Sequence, residues 1–470
     1  MKRAIVIGAG VNGLSAAVVL AQAGLAVEVF EAEAQPGGAA RTMPLTLPGF
    51  FHDFGSSVYP MGAGSPFFRS LPLAELGLEW AHGDAPAAHP MDDGTAVMLE
   101  HSLVDQEREL GDDGKAWTAL MRPAAERWWD FAEDALRPPL HMPAHPLLMA
   151  RFGAYGVLPA TVLARRFRTD RARALVAGLA GHSLLAFDRA MSSAVAMIFG
   201  ATAAAAGWPV ARGGAQAIPD ALINRLQQLG GVVHTSHRVD SLETLDTRDA
   251  VVMCDVTPRQ LLRIAGARLT PGYRRVLERF RFGPGAFKVD YALSEPIPWK
   301  AADCGRAMTV HVGGTFEEIA QAEDDVSSGR HATRPYLLVT QPSLYDSSRA
   351  PIGKHTAWAY CHVPNGASED CTSAIEAQIE RFAPGFRDCV LARRVFGPAD
   401  LEAMDANLIG GDVNAGAFTL KQVLLRPGPR NYRTGTPGLY LCSASTPPGG
   451  GVHGMCGYNA AQAALRDLRI

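Results

Sequence analysis

Apolar positions along this chain follow two rhythms. Near the start, the unbroken block AIVIG (4–8) is followed by VNGLSAAVVLAQAG, where apolar and small residues recur at helical spacing. LAVEVFE then returns to an apolar block that ends at Glu31. The pattern predicts a buried strand over roughly 3–8, a helix, and a second strand. ARGGAQAIPDALINRLQQLGGVVHTSHRVDSLE (211–243) repeats the scheme of turn, helix and strand, and DAVVMCDVTPRQLL (249–262) adds a further strand and turn. FGPGAFKVDYALSEPIPW (282–299) alternates and reads as a strand of a different kind. GLYLCSASTPPGGGVHGMCGYNAAQAAL (438–465) predicts a strand, a glycine-rich loop and the start of a helix. LEAMDANLIGGDVNAGAFTLKQVLLRP (401–427) is loop-rich, with Gly410–Gly411–Asp412 as a turn.

Two longer apolar stretches bear on membranes. AMSSAVAMIFGATAAAAGWPVA, between Arg189 and Arg212, is long enough to span a bilayer. Small residues dominate it and Pro209 interrupts it, so a buried helix packed through small side chains is expected. PLLMARFGAYGVLPATVLARRF (146–167) is apolar and ends in arginines. It suits a helix that lies on a membrane surface or caps an apolar cavity, the plain alternative being an amphipathic surface helix.

Composition narrows the picture. At 470 residues, two domains or one large composite are expected. Hydrophobic residues make up 47% and charged residues 19%, with a net charge of −3. With no run rich in Lys or Arg, nucleic acid is excluded as a partner. The seven cysteines form no CxxC and no metal-ligand spacing, which indicates free thiols, a reducing compartment and no metal.

The opening block carries the first chemistry. Gly8, Gly10 and Gly13 form GxGxxG at the strand-to-helix turn, and Glu31 follows Gly8 by 23 residues. Gly8 permits the tight turn and Gly10 lets a pyrophosphate approach the backbone. Gly13 lets the helix lie close on the strand, and the helix N-terminus, with Val11 and Asn12, faces the phosphates. An acidic side chain at Glu31 accepts hydrogen bonds from the adenosine ribose. The start is therefore a dinucleotide site rather than a leader to be cleaved.

EAEAQPGGAART then places Gly37 and Gly38 past the second strand, with Arg41 and Thr42 behind them. This resembles the extended FAD signature of the glutathione-reductase-type Rossmann fold in amine oxidases and phytoene-desaturase-like enzymes. The resemblance implies that the glycine pair and Arg41 lie along the flavin and its pyrophosphate. It continues through GFFHDFGSSVYP (49–60), which makes Gly55, Ser56 and Ser57 flavin contacts, and through HRVDSL, where backbone Val239 meets the adenine. The segment 438–465 resembles the last FAD motif of bacterial phytoene desaturases. Ser443 and Ser445 stand where amine oxidases carry Gly and an acid, and a serine hydroxyl there still suits a phosphate or ribitol. The helix starting near Gly454 and Met455 would aim N–H groups at the flavin's pyrimidine edge.

The fold implied is α/β: a discontinuous FAD-binding Rossmann domain (1–75, 212–285, 425–470) interleaved with a mixed α+β substrate domain (76–211, 286–424). No second GxGxxG follows a strand, so electrons are expected to leave to dioxygen or a quinone rather than through a second nucleotide domain. Lys288, one of only six lysines, sits within apolar AFKVDYAL. A half-buried lysine is costly unless paired or functional. In monoamine and polyamine oxidases a similar strand carries a lysine that holds a water against flavin N5. The alternative is that Lys288 pairs with Asp290, two residues along one strand face. His453 occupies the place of an aromatic-cage tyrosine and would contact substrate, accept a proton, or simply pack. The function implied is an FAD-dependent oxidoreductase, phytoene desaturase-like, removing hydride from an apolar or amphipathic small molecule. Alternatives are a flavin amine oxidase using dioxygen, and a non-catalytic binding protein such as the Rab GDP-dissociation inhibitors. A cytoplasmic protein with loose peripheral membrane contact through 146–167 is expected.

Overall fold

The structure, a computed structural model, describes residues 2–469. Its first sheet has five parallel strands. From one edge they are Leu439–Leu441, Ala250–Cys254, Arg3–Ile7, Ala26–Phe30 and Val232–His234. Arg3 is in register with both Ala26 and Ala250, so the first strand is central. Helices Val11–Gln22, Ala217–Gln228 and Met455–Leu468 pack on one face, closing a core that contains Val6, Val29, Leu14, Leu222 and Ala460. Helices Pro258–Ala265 and Pro271–Glu278 cover the other, where Ile5, Ile7, Val252 and Leu441 meet Leu261 and Leu277. Burial on both faces explains why these strands read as apolar blocks rather than alternations.

The second sheet has seven strands in the order Val390–Phe396, Gly285–Leu293, His355–Val363, Leu337–Thr340, Ala307–Val312, Ala85–Pro90 and Ala96–Leu99. Only the pair Ala307–Val312 with Ala85–Pro90 is parallel. The helix-rich segment 76–211 thus also supplies two of these strands. Gly285–Leu293 is buried at all nine positions between two partners. Its sequence alternation therefore reflects two different buried surroundings, since the polar positions Lys288 and Asp290 are not turned to solvent.

The uncharged stretch between Arg189 and Arg212 forms the helix Ser192–Ala205, packed through Ala194, Ala196, Gly200 and Ala203. Among the described residues no helix is long and apolar enough to cross a membrane. The stretch 146–167 forms two short helices, Pro146–Gly156 and Ala160–Ala164, with Pro159 just before the second. Leu148 turns inward, while Leu147, Val157 and Val162 stay exposed, as do Leu140 and Met142 just upstream.

Candidate active site

The first strand delivers the chain into its glycine turn at the carboxyl end of the parallel sheet, beside the end of Ala250–Cys254. Asp255 and the Gly8 carbonyl together make the glycines necessary. A Cβ on Gly10 would sit 2.6 Å from its Oδ2, and one on Gly13 would sit 2.1 Å from the carbonyl oxygen of Gly8. Asp255 Oδ2 accepts the Gly13 N–H at 2.9 Å, and the Gly10 carbonyl takes that of Leu14 at 2.9 Å. Val11 and Asn12 line the trough beyond, at the first turn of the helix, where backbone N–H groups lack intrahelical partners. Burial pushes the Asp255 carboxyl up to about 7, the Gly13 N–H opposing and the charges of Asp405 and Glu31 adding to it.

A narrow pocket of about 100 Å³ lies at one end of this trough, lined by Gly8, Glu31, Arg41, Val239, Gln260 and Ile264 among others. The buried Glu31 carboxylate accepts the N–H of Ala9 at 2.7 Å and of Glu33 at 2.9 Å, so it also holds the turn in shape. Arg41 donates from Nε to the Gly38 carbonyl and from Nη2 to that of Met404, both at 2.7 Å. Gly10, Gly38, Asp255, Asp405 and Asn407 line this pocket and also the much larger cavity next to it.

That cavity, about 420 Å³, runs from Gly37 and Gly38 past Gly55, Ser56 and Ser57 to the second sheet and the helix Ser192–Ala205. Val195, Ile198, Phe199, Leu338, Trp358 and Tyr360 give its far end an apolar wall. Among the described residues, the only carboxylates on its lining are Asp255 and Asp405, both at the trough end. Asn12 and Asn407, on the trough lining, each keep a buried side-chain oxygen without a partner. Buried polar atoms left open in this way suit a bound molecule that brings donors. Together with the glycine-lined floor, they make the trough fit a dinucleotide.

Lys288 lines the cavity and stands in a charged cluster. Its Nζ donates to Asp290 Oδ2 at 2.7 Å and to the Asp53 carbonyl at 2.8 Å. The Phe54, Trp358 and Phe396 rings surround it, their centroids 5.9, 5.7 and 5.5 Å away. Two of its three donors are spent and one is left. Burial lowers its pKa while Asp290 pulls the other way, and burial lifts Asp290 to about 6. Asp53, behind it, takes Arg349 Nη2 at 2.7 Å, Thr42 Oγ1 and Ala215 N–H at 2.8 Å, and Ser57 Oγ at 2.5 Å. His52 Nδ1 stands 3.7 Å from Asp290 Oδ1, and burial, with Lys288 and Arg349 nearby, pushes His52 down to about 3. The pairing of Lys288 with Asp290 is thus present, but buried at the cavity.

His453 lines the cavity too, and its Nδ1 accepts the N–H of Met455 at 3.0 Å. The ring therefore carries its proton on Nε2 when neutral, and burial lowers its pKa to about 4. The Met455 N–H is spent on this bond and is not free to meet a ligand; Gly454 is the left-handed residue before that helix.

Three more expected contacts are committed elsewhere. Thr42 turns its hydroxyl to Asp53. Ser443 donates to the Val256 carbonyl at 2.7 Å, and Ser445 to that of Ala415 at 2.8 Å. Neither serine has its hydroxyl hydrogen left for a phosphate, although Ser443 does line the cavity. The Gly410–Gly411–Asp412 turn is structural: buried Asp412 collects the N–H groups of Gly283, Asn414 and Gly416 at 2.7–2.8 Å. Asp255, Asp405, Asn407, Asp53, Arg349 and His182 also belong to the site, and no motif marks them. An acid at the carboxyl end of a predicted strand, as in VVMCD, is the one signal that would have pointed to Asp255.

The family model described as flavin containing amine oxidoreductase matches residues 12–263. The mouse pyridine nucleotide-disulfide oxidoreductase domain-containing protein 2 is 27% identical, across 99% of this chain and 94% of that protein. The phytoene dehydrogenase of Streptomyces griseus is also 27% identical, across 95% and 92%. Among solved structures, an oxidoreductase from Methanosarcina mazei superposes with a TM-score of 0.64 at 17% identity, covering 99% of this chain and all of that one. Putrescine oxidase bound to putrescine gives 0.62 at 16%, covering 100% and 99%. At such identities the likeness in structure is one of fold.

Proposed function

The chain belongs to the flavin-containing amine oxidoreductase family and is an FAD-dependent oxidoreductase, and from that premise we propose that it dehydrogenates an apolar or amphipathic small molecule. The observation that carries this reading is the direct continuity of the dinucleotide trough with a cavity whose far end is apolar and free of carboxylates. A cationic amine entering that end would lose hydration and gain no anion, which is costly. A neutral substrate loses little.

When bound, FAD supplies the two-electron acceptor. Glu31 would receive the ribose hydroxyls and Val239 would border the adenine. Gly8, Gly10, Val11, Asn12, Gly13, Gly37, Gly38 and Arg41 would hold the pyrophosphate, with Gly55, Ser56, Ser57 and the backbone of 443–455 bordering the flavin. The apolar wall would keep water from the reacting carbon. The third N–H of Lys288 would hold a water molecule at the cavity surface, and this feature favours the second reading, an amine oxidase using dioxygen.

Five free, exposed apolar side chains (Leu140, Met142, Leu147, Val157, Val162) lie in a stretch, 135–169, with five arginines and no acid. That combination supports peripheral contact with an anionic membrane surface. Seven unpaired cysteines support a reducing, cytoplasmic setting. The test of the main reading is anaerobic exposure of the purified yellow protein to apolar alcohols, ketones, polyenes and amines. Bleaching by a neutral compound supports it, and bleaching by amines alone transfers the case to the second reading.

A further inference from the structure

Toward the apolar end of the cavity, where Ser183, Thr309 and the unpartnered Trp358 Nε1 also stand, one imidazole is held by a second. His182 follows the helix Asp170–Gly181 and lines the cavity. Its Nε2 lies 2.9 Å from Nε2 of His311, which is fully buried on the strand Ala307–Val312. Phe199 and Trp208 meet the His182 ring edge-on, with centroids 4.7 and 5.6 Å away. Two imidazoles in such surroundings cost free energy that two apolar side chains would not.

The proton positions follow from His311. Its Nδ1 is buried without a partner, and it packs on Gly178, where a Cβ would come within 2.6 Å of that nitrogen. The Gly178 carbonyl already accepts the Tyr336 hydroxyl at 2.6 Å. A buried N–H with nothing to donate to is rarer than a bare acceptor. His311 therefore carries its proton on Nε2 and donates it to His182, whose own proton is left on Nδ1, where no protein acceptor meets it. Burial keeps both rings neutral, lowering His182 to about 3.

We propose that His182 is the substrate-recognition donor of this cavity, held in that tautomer by His311, and that the substrate carries an uncharged oxygen acceptor, such as a ketone, aldehyde or ester carbonyl, on its apolar body. The proposal rests on the functional reading above and narrows it. A hydrocarbon leaves the Nδ1–H unpaired, and an ammonium group presents a donor to a donor.

The test uses the holoenzyme and binding alone. Methyl pentyl ketone, heptane and heptylamine are titrated while the flavin absorbance is followed. The ketone should bind more tightly than heptane. His182→Phe should remove that preference, costing the ketone about three- to tenfold and heptane nothing. His182→Asn, which keeps a donor, should retain part of it, and His311→Phe should weaken it. Imidazole nitrogen NMR of the histidine-labelled protein, with His182→Asn assigning the signal, should show His182 protonated on Nδ1. Equal affinity for ketone and heptane in the unaltered protein, a parallel loss of both in His182→Phe, or a proton on Nε2 of His182 would overturn the proposal. If no neutral compound reduces the flavin, the functional reading fails, and the binding difference still decides the role of His182.

Discussion

Lys288, Asp290, Asp53 and Arg349 form a buried cluster in which two cations face two anions and almost every charge has a partner. His182, on the lining of the same cavity, and His311, buried behind it, share one hydrogen bond and leave a nitrogen unpartnered at each end. The first cluster ties the two-stranded ribbon of Thr42–Met43 and His52–Asp53 to the seven-stranded sheet, since Asp53 belongs to the ribbon and Lys288 and Asp290 to the strand Gly285–Leu293. Its charges are matched in two ion pairs, while Asp290 Oδ1, the two Arg349 Nη atoms and one ammonium proton of Lys288 keep no hydrogen-bond partner. The second is neutral and has a donor to spare. Matched buried charge reads as architecture and an open neutral donor on the cavity wall as recognition, because an ion without a counter-ion destabilises far more than an imidazole without a partner.

The largest break should come at Arg349. Arg349→Met leaves Asp53 buried without its cation, and the loss should be about 3–5 kcal/mol in denaturant unfolding. A loss as small as that of a surface substitution would remove the architectural role.

Acid should act next, through the neutral histidines. His52, His182, His89 and His453 are lowered to about 3–4, and His311 is lowered further, chiefly by burial. Below pH 6.5 the unfolded chain binds protons that the folded chain refuses, so stability present above 6.5 is lost as pH falls. Asp255 and Asp290, raised to about 7 and 6, work the other way between their unfolded values and those figures. Asp405 and Asp412, also raised by burial, act with these two carboxyls, and His82 and His355, also lowered, act with the histidines. The histidines thus outnumber the raised acids, and stability should fall as pH drops from 6.5 toward 5. Thermal melts across pH 5–8 should show the fall, and a flat profile would contradict it.

Glu31→Ala should weaken FAD retention by about 1.5–3 kcal/mol, read as a rise in the FAD dissociation constant. The loss of its bonds to Ala9 and Glu33 adds to the effect, because the turn slackens as well. Lys288→Met leaves Asp290 alone, but that carboxyl is already raised and can take up a proton. Folding should therefore weaken by only about 1–3 kcal/mol, with part recovered in the double variant carrying Asp290→Asn. In stopped flow, reoxidation by dioxygen should slow more than reduction by substrate; equal slowing of both would leave Lys288 with the cluster's structural role alone. The smallest electrostatic effect belongs to His453→Ala, which removes the acceptor of the Met455 N–H, a neutral hydrogen bond worth about 0.5–1.5 kcal/mol. Slowed anaerobic reduction in that variant would add a substrate contact to the capping role.

The dinucleotide turn was legible because its chemistry is local: three glycines, a strand and an acid within 31 residues. Lys288 was legible through rarity, as a lysine inside an apolar block. His182, Asp53 and Arg349 were not, because their meaning comes from partners more than a hundred residues away in the chain. Ser443, Ser445 and Thr42 show the converse. Their positions match a motif, but neighbouring carbonyls and Asp53 have taken their hydroxyls, and no local pattern reports that competition. The helical stretch 146–167 looked like one element and is two, because Pro159 removes a backbone donor between them.

The proposed preference of this FAD-dependent oxidoreductase for a neutral, largely apolar substrate can be read from the flavin itself. Its most direct test is anaerobic stopped-flow reduction of the holoenzyme by ketones, alcohols, polyenes and primary amines of matched chain length. Rapid loss of the oxidised flavin band is expected with a neutral, oxygen-bearing compound, and slow or no loss with the amine. Rapid reduction by the amine alone would contradict it.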